Sequence, residues 1–398
     1  MTTCSRKRIL IASSLNAGAE AVAPLVERLM GRGDTVRVLS HRAATATFKS
    51  MDIEPDRILE NLYAADLVRE LTEFEPAIIV TGTQIQRREC PIPLEHSLWW
   101  MGSRINNGNG FLPRSIAVMN TWGTELEQFS TLDIRGEVPL RIMEKMAWAP
   151  DQIAVLDEYQ MQKMLALGFD RKKLVITGNP YFEHVETQIA GLSPNTRAEL
   201  LAKPVFSGFH KNGTLLVFIS DDMSPFPDIT FTEKDVLQSF LKTVDRLAEE
   251  TGMKINLIVR PHPFRNANAQ DAFDCETPHI RKVLHNPVSA KGGKPKNNYS
   301  MEQLLTSVDL VVGTLNNPLI TAKIIGRPVI HYLPGVGTDY EFQKFLSDQG
   351  MSTRVTRESD LGTAIQCILD GRIVQKPLEA GKDAIENVIR LIDQLSRT

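Results

Sequence analysis

The chain has 398 residues, 42% of them hydrophobic and 23% charged, with a formal net charge of −3. That length exceeds one ordinary core and fits two domains of about 200 residues each, with a globular rather than disordered or fibrous composition. The slightly acidic balance, with no basic stripe along any helix, excludes general attraction to nucleic acid.

The first strand is predicted at Ile9–Ala12, a run too short for a signal-peptide core. It leads through Ser13, Ser14, Leu15, Asn16, Ala17 and Gly18 into a helical pattern over Ala19–Met30. This is the place of a phosphate-binding turn in a Rossmann unit, although the spelling is not GxGxxG. Ser14 and Asn16 are candidate cleft residues, and an ordinary βα loop is the alternative. Val36–Leu39 is the next strand, Ala64–Phe74 the next helix, and Ala77–Val80 a strand ending in Thr81 and Thr83. Ile116–Met119 ends in the run Asn120 to Glu127. Both strand ends are expected to face an inter-domain cleft. Reaction at a hydroxyl acceptor needs a carboxylate or imidazole as general base. Glu89, Glu95, His96, Glu125 and Glu127 are available, with Glu95, His96 and Glu125 preferred. Helices over Val138–Met146 and Tyr159–Leu167 and strands over Ile153–Leu156 and Leu174–Ile176 follow. The last strand runs into Thr177, Gly178, Asn179 and Pro180, where proline suits the first helical position and Asn179 is a further candidate.

Short apolar runs alternating with amphipathic segments indicate βαβ units and parallel sheets. Residues 1–190 are read as a first Rossmann-like domain on the acceptor side, and the Pro-, Gly- and polar-rich residues 191–213 as a hinge. Residues 214–383 form a second Rossmann-like domain on the donor side. The amphipathic segment 384–398 is expected to pack back on the first domain.

In the second half, strands are predicted at Leu215–Ile219, Ile255–Val259, Leu310–Val312, Val329–Tyr332 and Thr353–Val355. Helices are predicted at Glu233–Glu250, Pro318–Ile325, Tyr340–Gln349 and Leu361–Leu369. The strand ends here are the most informative part of the sequence. Leu215–Ile219 ends in Ser220, whose backbone and hydroxyl suit a phosphate; the neighbouring Asp221 and Asp222 point apart on an extended chain and make a poor metal pair. Ile255–Val259 runs into Arg260, Pro261, His262 and Pro263, a guanidinium fork and an imidazole on a stiff backbone. Leu310–Val312 runs into Gly313, Thr314, Leu315, Asn316 and Asn317 ahead of a helix whose N–H groups attract anions. Thr338 lies on the loop after Val329–Tyr332. Ligands of open α/β sheets bind at the carboxyl ends of strands, so these residues read as an anion site for a phosphate or diphosphate, and hence for a nucleotide-activated substrate. The four cysteines (Cys4, Cys90, Cys275, Cys367) form no CxxC pair, which fits a reducing cytoplasm. No metal and no cofactor is expected. No apolar run approaches the roughly 20 residues needed to cross a bilayer, which leaves peripheral membrane association and oligomeric state open.

The stretches VITGNPYFE (175–183), VRPHP (259–263) and VVGTLNNPLITAKIIGRPVIHY (311–332) resemble the GT-B-fold superfamily, in the neighbourhood of UDP-N-acetylglucosamine 2-epimerases, nucleotide-sugar glycosyltransferases and CDP-glycerol glycerophosphotransferases. The resemblance implies an α/β fold with two Rossmann-like domains of parallel sheets facing across a cleft. It also implies donor-phosphate or nucleoside contacts at Arg260, His262, Thr314, Asn316 and Asn317. The sequence departs from these families in three places. Thr321-Ala322 stands where many of them carry a Glu-Ala pair that meets the ribose. Asn120 to Glu125 stands in place of a His-x-Glu, and Ser220-Asp221-Asp222 in place of an epimerase His loop. The leading expectation is a metal-independent glycosyltransferase moving a sugar from a nucleotide-diphosphate donor to a hydroxyl acceptor. A nucleotide-sugar epimerase or hydrolase, or a polyol-phosphate transferase, is the enzymatic alternative. A non-catalytic nucleotide-sugar-binding subunit is the other.

Overall fold

The computed structural model describes residues 6–83, 94–104, 112–120, 150–220, 231–261, 273–285, 299–314, 317–336, 344–378, 381 and 383–396. The chain divides into two compact units, one of residues 1–184 and 380–398, the other of residues 185–379. The predicted helix over Val138–Met146 lies outside the described residues.

The first unit holds a seven-stranded, all-parallel sheet. Its strands are β1 (Arg8–Ser13), β2 (Thr35–His41), β3 (Arg57–Leu59), β4 (Ile78–Gly82), β5 (Arg114–Val118), β6 (Gln152–Val155) and β7 (Leu174–Ile176). They are ordered β3-β2-β1-β4-β5-β6-β7. Its helices are α1 (Asn16–Gly31), α2 (Ala44–Ser50), α3 (Ala64–Phe74), α4 (Leu94–Gly102), α5 (Glu158–Ala166) and α6 (Pro180–Ala190), the last running on into the second unit. Ile9 and Ile11 of β1 point to one face, with α1, while Leu10 and Ala12 point to the other, with Leu67 and Leu71 of α3 and Leu94 and Leu98 of α4. Two covered faces explain why the strands read as continuous apolar runs.

The second unit begins with α7 (Thr196–Leu201), and its six-stranded sheet is also all-parallel. The strands are β8 (Thr214–Ile219), β9 (Ile255–Arg260), β10 (Ile280–Leu284), β11 (Leu310–Gly313), β12 (Val329–Tyr332) and β13 (Thr353–Val355), ordered β10-β9-β8-β11-β12-β13. One face carries α8 (Glu233–Thr251) and α12 (Glu358–Leu369), the latter following the short α11 (Phe345–Asp348). The other face carries α7, α9 (Met301–Ser307) and α10 (Asn317–Ile324). Helix α8 starts in a capping box between Thr232 and Asp235 and stops at Gly252, whose φ of 69° suits a residue without a side chain. Leu200 and Phe206, in the stretch predicted as a hinge, pack into this second core.

Helix α13 (Ala384–Leu395) belongs to the first unit. Val388, Ile389, Leu391 and Ile392 join the α1 face of its core. Asn387 Nδ2 donates to the Thr177 carbonyl at 3.0 Å, and Asp393 pairs with Lys7 and Arg32. Among the described residues, no helix is long and apolar enough to cross a membrane.

Candidate functional site

In each sheet the chain works outward in one direction and then returns to the other side of its first strand. The points of return lie between β1 and β4 and between β8 and β11. Crevices at the carboxyl ends of such strands are where doubly wound sheets take ligands.

In the second unit, three neighbouring strand ends present Arg260 (β9), Ser220 (after β8) and Thr314 (after β11). Ser220 N donates to the Arg260 carbonyl at 2.9 Å, which fixes the relative height of these two ends. Arg260 lies two strands from β11, about 10 Å across the sheet. Its side chain points to the same face as Ile258, the face that α9 and α10 cover. The guanidinium is partly buried and its Nη1 lies 2.8 Å from Met301 Sδ. Burial lowers its pKa, with the Glu302 carboxylate pulling the other way. Among the described residues no carboxylate comes within ion-pair distance of it. Thr314 is 2% exposed, and its Oγ1 has no partner among the described residues. Three residues on, α10 begins. His262, Asn316 and Thr338 lie outside the described residues, as do the side chain of Asn317 and part of the predicted helix Tyr340–Gln349, of which Phe345–Asp348 is helical.

Two neighbours of Arg260 escaped the sequence reading. His285 follows β10, and its ring stacks on Tyr299 with centroids 4.4 Å apart. Both are tied electrostatically to the guanidinium, and burial with that charge holds His285 down to about 4. His285 Nδ1 and the Tyr299 hydroxyl have no partner among the described residues. His331 on β12 is a second buried imidazole, 0% exposed, with neither ring nitrogen bonded among the described residues. Burial, and then Arg354, holds it down to about 3. A histidine kept neutral in this way supports folding fully above its unfolded value near 6.5. That support is lost as pH falls below it. His331 alone therefore removes roughly 3 kcal/mol by pH 4. We expect the chain to lose stability steeply between pH 6 and 4, and the His331→Leu variant to show a shallower loss in urea midpoints across that range.

In the first unit the corresponding edge carries Ser13 and Ser14 after β1, Thr81 and Thr83 at β4, Asn120 after β5 and Asn179 after β7. Asn179 Nδ2 donates to the Asn120 carbonyl at 2.7 Å and its Oδ1 accepts from Tyr181 N at 2.8 Å, so it ties a strand end to the start of α6. Asn120 Nδ2 donates to the Thr83 carbonyl at 2.7 Å. Thr81 Oγ1 accepts from Trp99 Nε1 at 3.0 Å. Asn16 is exposed and accepts from Thr47 Oγ1.

The candidate base Glu95 is fully buried on α4. Its Oε1 accepts from Ser14 N at 2.7 Å, its Oε2 from Ser14 Oγ at 2.8 Å, and Ser13 Oγ lies 3.2 Å from Oε1. Burial pushes its carboxyl above the usual carboxylate range, and the hydrogen bonds offset this only in part. His96, one residue on, is partly buried and stacks on Trp99 at 5.0 Å. Glu125 lies outside the described residues. Among the described residues no three His, Cys, Asp or Glu side chains gather as a metal site would require.

No protein-family model and no curated protein matches the chain in sequence. Its structure does have relatives. A UDP-GlcNAc 2-epimerase from Neisseria meningitidis bound to UDP-GlcNAc superposes with a TM-score of 0.67 over 98% of this chain and 100% of the other, at 10% identity. The UDP-GlcNAc 2-epimerase of Methanocaldococcus jannaschii gives 0.66 over 97% and 99%, at 12% identity. A glycosyltransferase from Rickettsia africae gives 0.55 over 99% and 96%, also at 12%. The fold is GT-B. As in the sequence reading, a GT-B chain has two parallel-sheet units of the Rossmann kind, and here their sheets have seven and six strands. At 10–12% identity the likeness carries the GT-B fold alone.

Proposed function

We propose that this GT-B chain is an enzyme acting on a nucleotide-diphosphate sugar, and that its second unit holds the diphosphate. The observation that carries this is Arg260, a partly buried guanidinium at a strand end with no carboxylate in ion-pair reach among the described residues. A cation removed from water without a counter-charge is unfavourable unless a ligand supplies one. Arg260 can hold a phosphate through its planar fork. Thr314 Oγ1 and the free N–H groups that open α10 supply neutral donors further along the same edge. His262, Ser220, Asn316 and Asn317 complete the donor set in this proposal, with Asn179, Thr81, Thr83, Asn16 and Thr338 on surrounding loops.

The reaction we propose is glycosyl transfer to a hydroxyl acceptor. Charge develops on the departing diphosphate, and the guanidinium and helix amides stabilise it where it forms. Glu95 has both oxygens engaged by Ser13 and Ser14, which leaves His96 or Glu125 to take the acceptor proton. Epimerisation of the nucleotide sugar is the second reading. It is favoured by the structural neighbours, which include UDP-GlcNAc 2-epimerases, one of them bound to UDP-GlcNAc.

Incubation with UDP-, GDP-, CDP-, ADP- and dTDP-sugars, followed by thermal unfolding and proton NMR, tests both readings. One nucleotide family is expected to raise Tm. Nucleoside diphosphate released only with a hydroxyl acceptor supports transfer, and new sugar resonances without any acceptor support epimerisation. A folded sample that no nucleotide sugar stabilises would overturn the proposal.

A further inference from the structure

The turn between the first strand and first helix of a doubly wound unit is where backbone amides ordinarily meet an anionic ligand. In the first unit that turn already holds a carboxyl group from elsewhere in the chain. Glu95, 81 residues further along, takes the Ser14 N–H at 2.7 Å and the Ser14 hydroxyl at 2.8 Å, and is 0% exposed. The fastening runs both ways, because Leu94 N donates back to Ser14 Oγ at 3.2 Å. Gly18 makes room for the Ser13 hydroxyl. A Cβ there would stand 2.5 Å from Ser13 Oγ and 3.7 Å from Glu95 Oε1.

The protons can be counted as well. Ser13 Oγ lies within hydrogen-bond reach of two acceptors, the Leu15 carbonyl at 3.1 Å and Glu95 Oε1 at 3.2 Å, but owns one proton. Both contacts are full two-centre hydrogen bonds if Glu95 carries a proton and donates it to Ser13 Oγ, which then donates to Leu15; an ionised Glu95 leaves Ser13 sharing one proton between the two acceptors. In the protonated state Ser14 still donates its N–H and O–H to the two carboxyl oxygens, and no buried donor or acceptor of the cluster is left over. A neutral acid also avoids the penalty of a buried, unpaired charge.

We propose that Glu95 is a built-in substitute for a ligand's phosphate, which closes the β1–α1 turn to anions and sets the positions of Ser13 and Ser14. It is a positioning residue, and the Ser13 and Ser14 hydroxyls it holds are themselves buried, at 0% and 1% exposed. This stands apart from the donor reading of the second unit, and the test keeps them apart by working in the full chain carrying Arg260→Ala.

The probe is inorganic phosphate, read by Tm and by hydrogen exchange at the Ser14 amide. In the Arg260→Ala chain, millimolar phosphate is expected to leave Ser14 exchange unchanged. Slower exchange there would overturn the proposal even if no Glu95 variant folds. Adding Glu95→Ala is expected to lower Tm and create a phosphate-dependent recovery, at least tenfold tighter than in the Arg260→Ala chain, with formate also restoring Tm. A folded Glu95→Ala protein that neither anion stabilises would equally overturn it. Glu95→Gln keeps the shape and most of the donors and is expected to retain near-parental Tm with no response to phosphate. A merely space-filling role would instead let Glu95→Met do the same.

Discussion

Replacing Gly82 by alanine is expected to destabilise the first unit by at least about 3 kcal/mol, because the added methyl meets backbone. A Cβ at Gly82 would lie 2.4 Å from Gly18 Cα and 2.9 Å from its carbonyl carbon and oxygen. No rotamer change relieves that contact, so either α1 moves off β4 or β4 leaves its register with β1. Both movements would also pull Ser13 and Ser14 away from Glu95. Urea unfolding checks this against Gly31→Ala, at a position with nothing within 4 Å of the added methyl. The control should be neutral or slightly stabilising. Equal midpoints for the two variants would show that the close approach of α1 to β4 is not what holds this corner together.

Arg260→Ala is expected to weaken nucleotide-diphosphate binding about thirtyfold, the effect of losing about 2 kcal/mol of charge-assisted hydrogen bonding. The apo protein should gain stability or keep it, since the substitution removes a partly buried cation with no ionic partner among the described residues. Opposite signs in the two measurements separate a ligand-binding guanidinium from a structural one. Arg260→Lys should recover little, because an ammonium lacks the planar fork. Isothermal titration with the nucleoside diphosphate that the screen selects, alongside apo Tm, checks both. A variant that is destabilised without ligand yet binds with unchanged affinity would overturn the role given to Arg260.

The sheets were legible in the sequence for a physical reason. Strands buried on both faces must be apolar throughout, and runs such as Leu215–Ile219 and Leu310–Val312 have no other plausible place. The edge strands β3 and β10 were not read, because Arg57–Leu59 is three residues long and Ile280–Leu284 is mostly half-buried, so neither shows a periodicity. Helix α4 was missed behind Cys-Pro-Ile-Pro. Its two adjacent tryptophans part company in the fold: Trp99 is buried against Thr81, while Trp100 is 40% exposed. Helix α9 did carry a local signal, since Ser300 and Gln303 have the spacing of a capping box and form one. Arg260 and Ser220 were legible because each follows an apolar run directly, and Thr314 because a single glycine separates it from one. The Glu95–Ser14 contact was not, because it joins residues 81 apart that only the approach of α4 to β1 brings together. His285 and Tyr299 were equally hidden, since they are separated in sequence and meet only in the fold, where their rings stack.

The return of α13 to the first unit makes that unit discontinuous, with residues 185–379 spliced into its sequence. On the ribosome this inverts the usual order in which the leading domain matures first. The second unit can close its core while the first still exposes the groove beside α1. That groove stays open to water, and to chaperones, until Val388 to Ile392 have emerged to cover it.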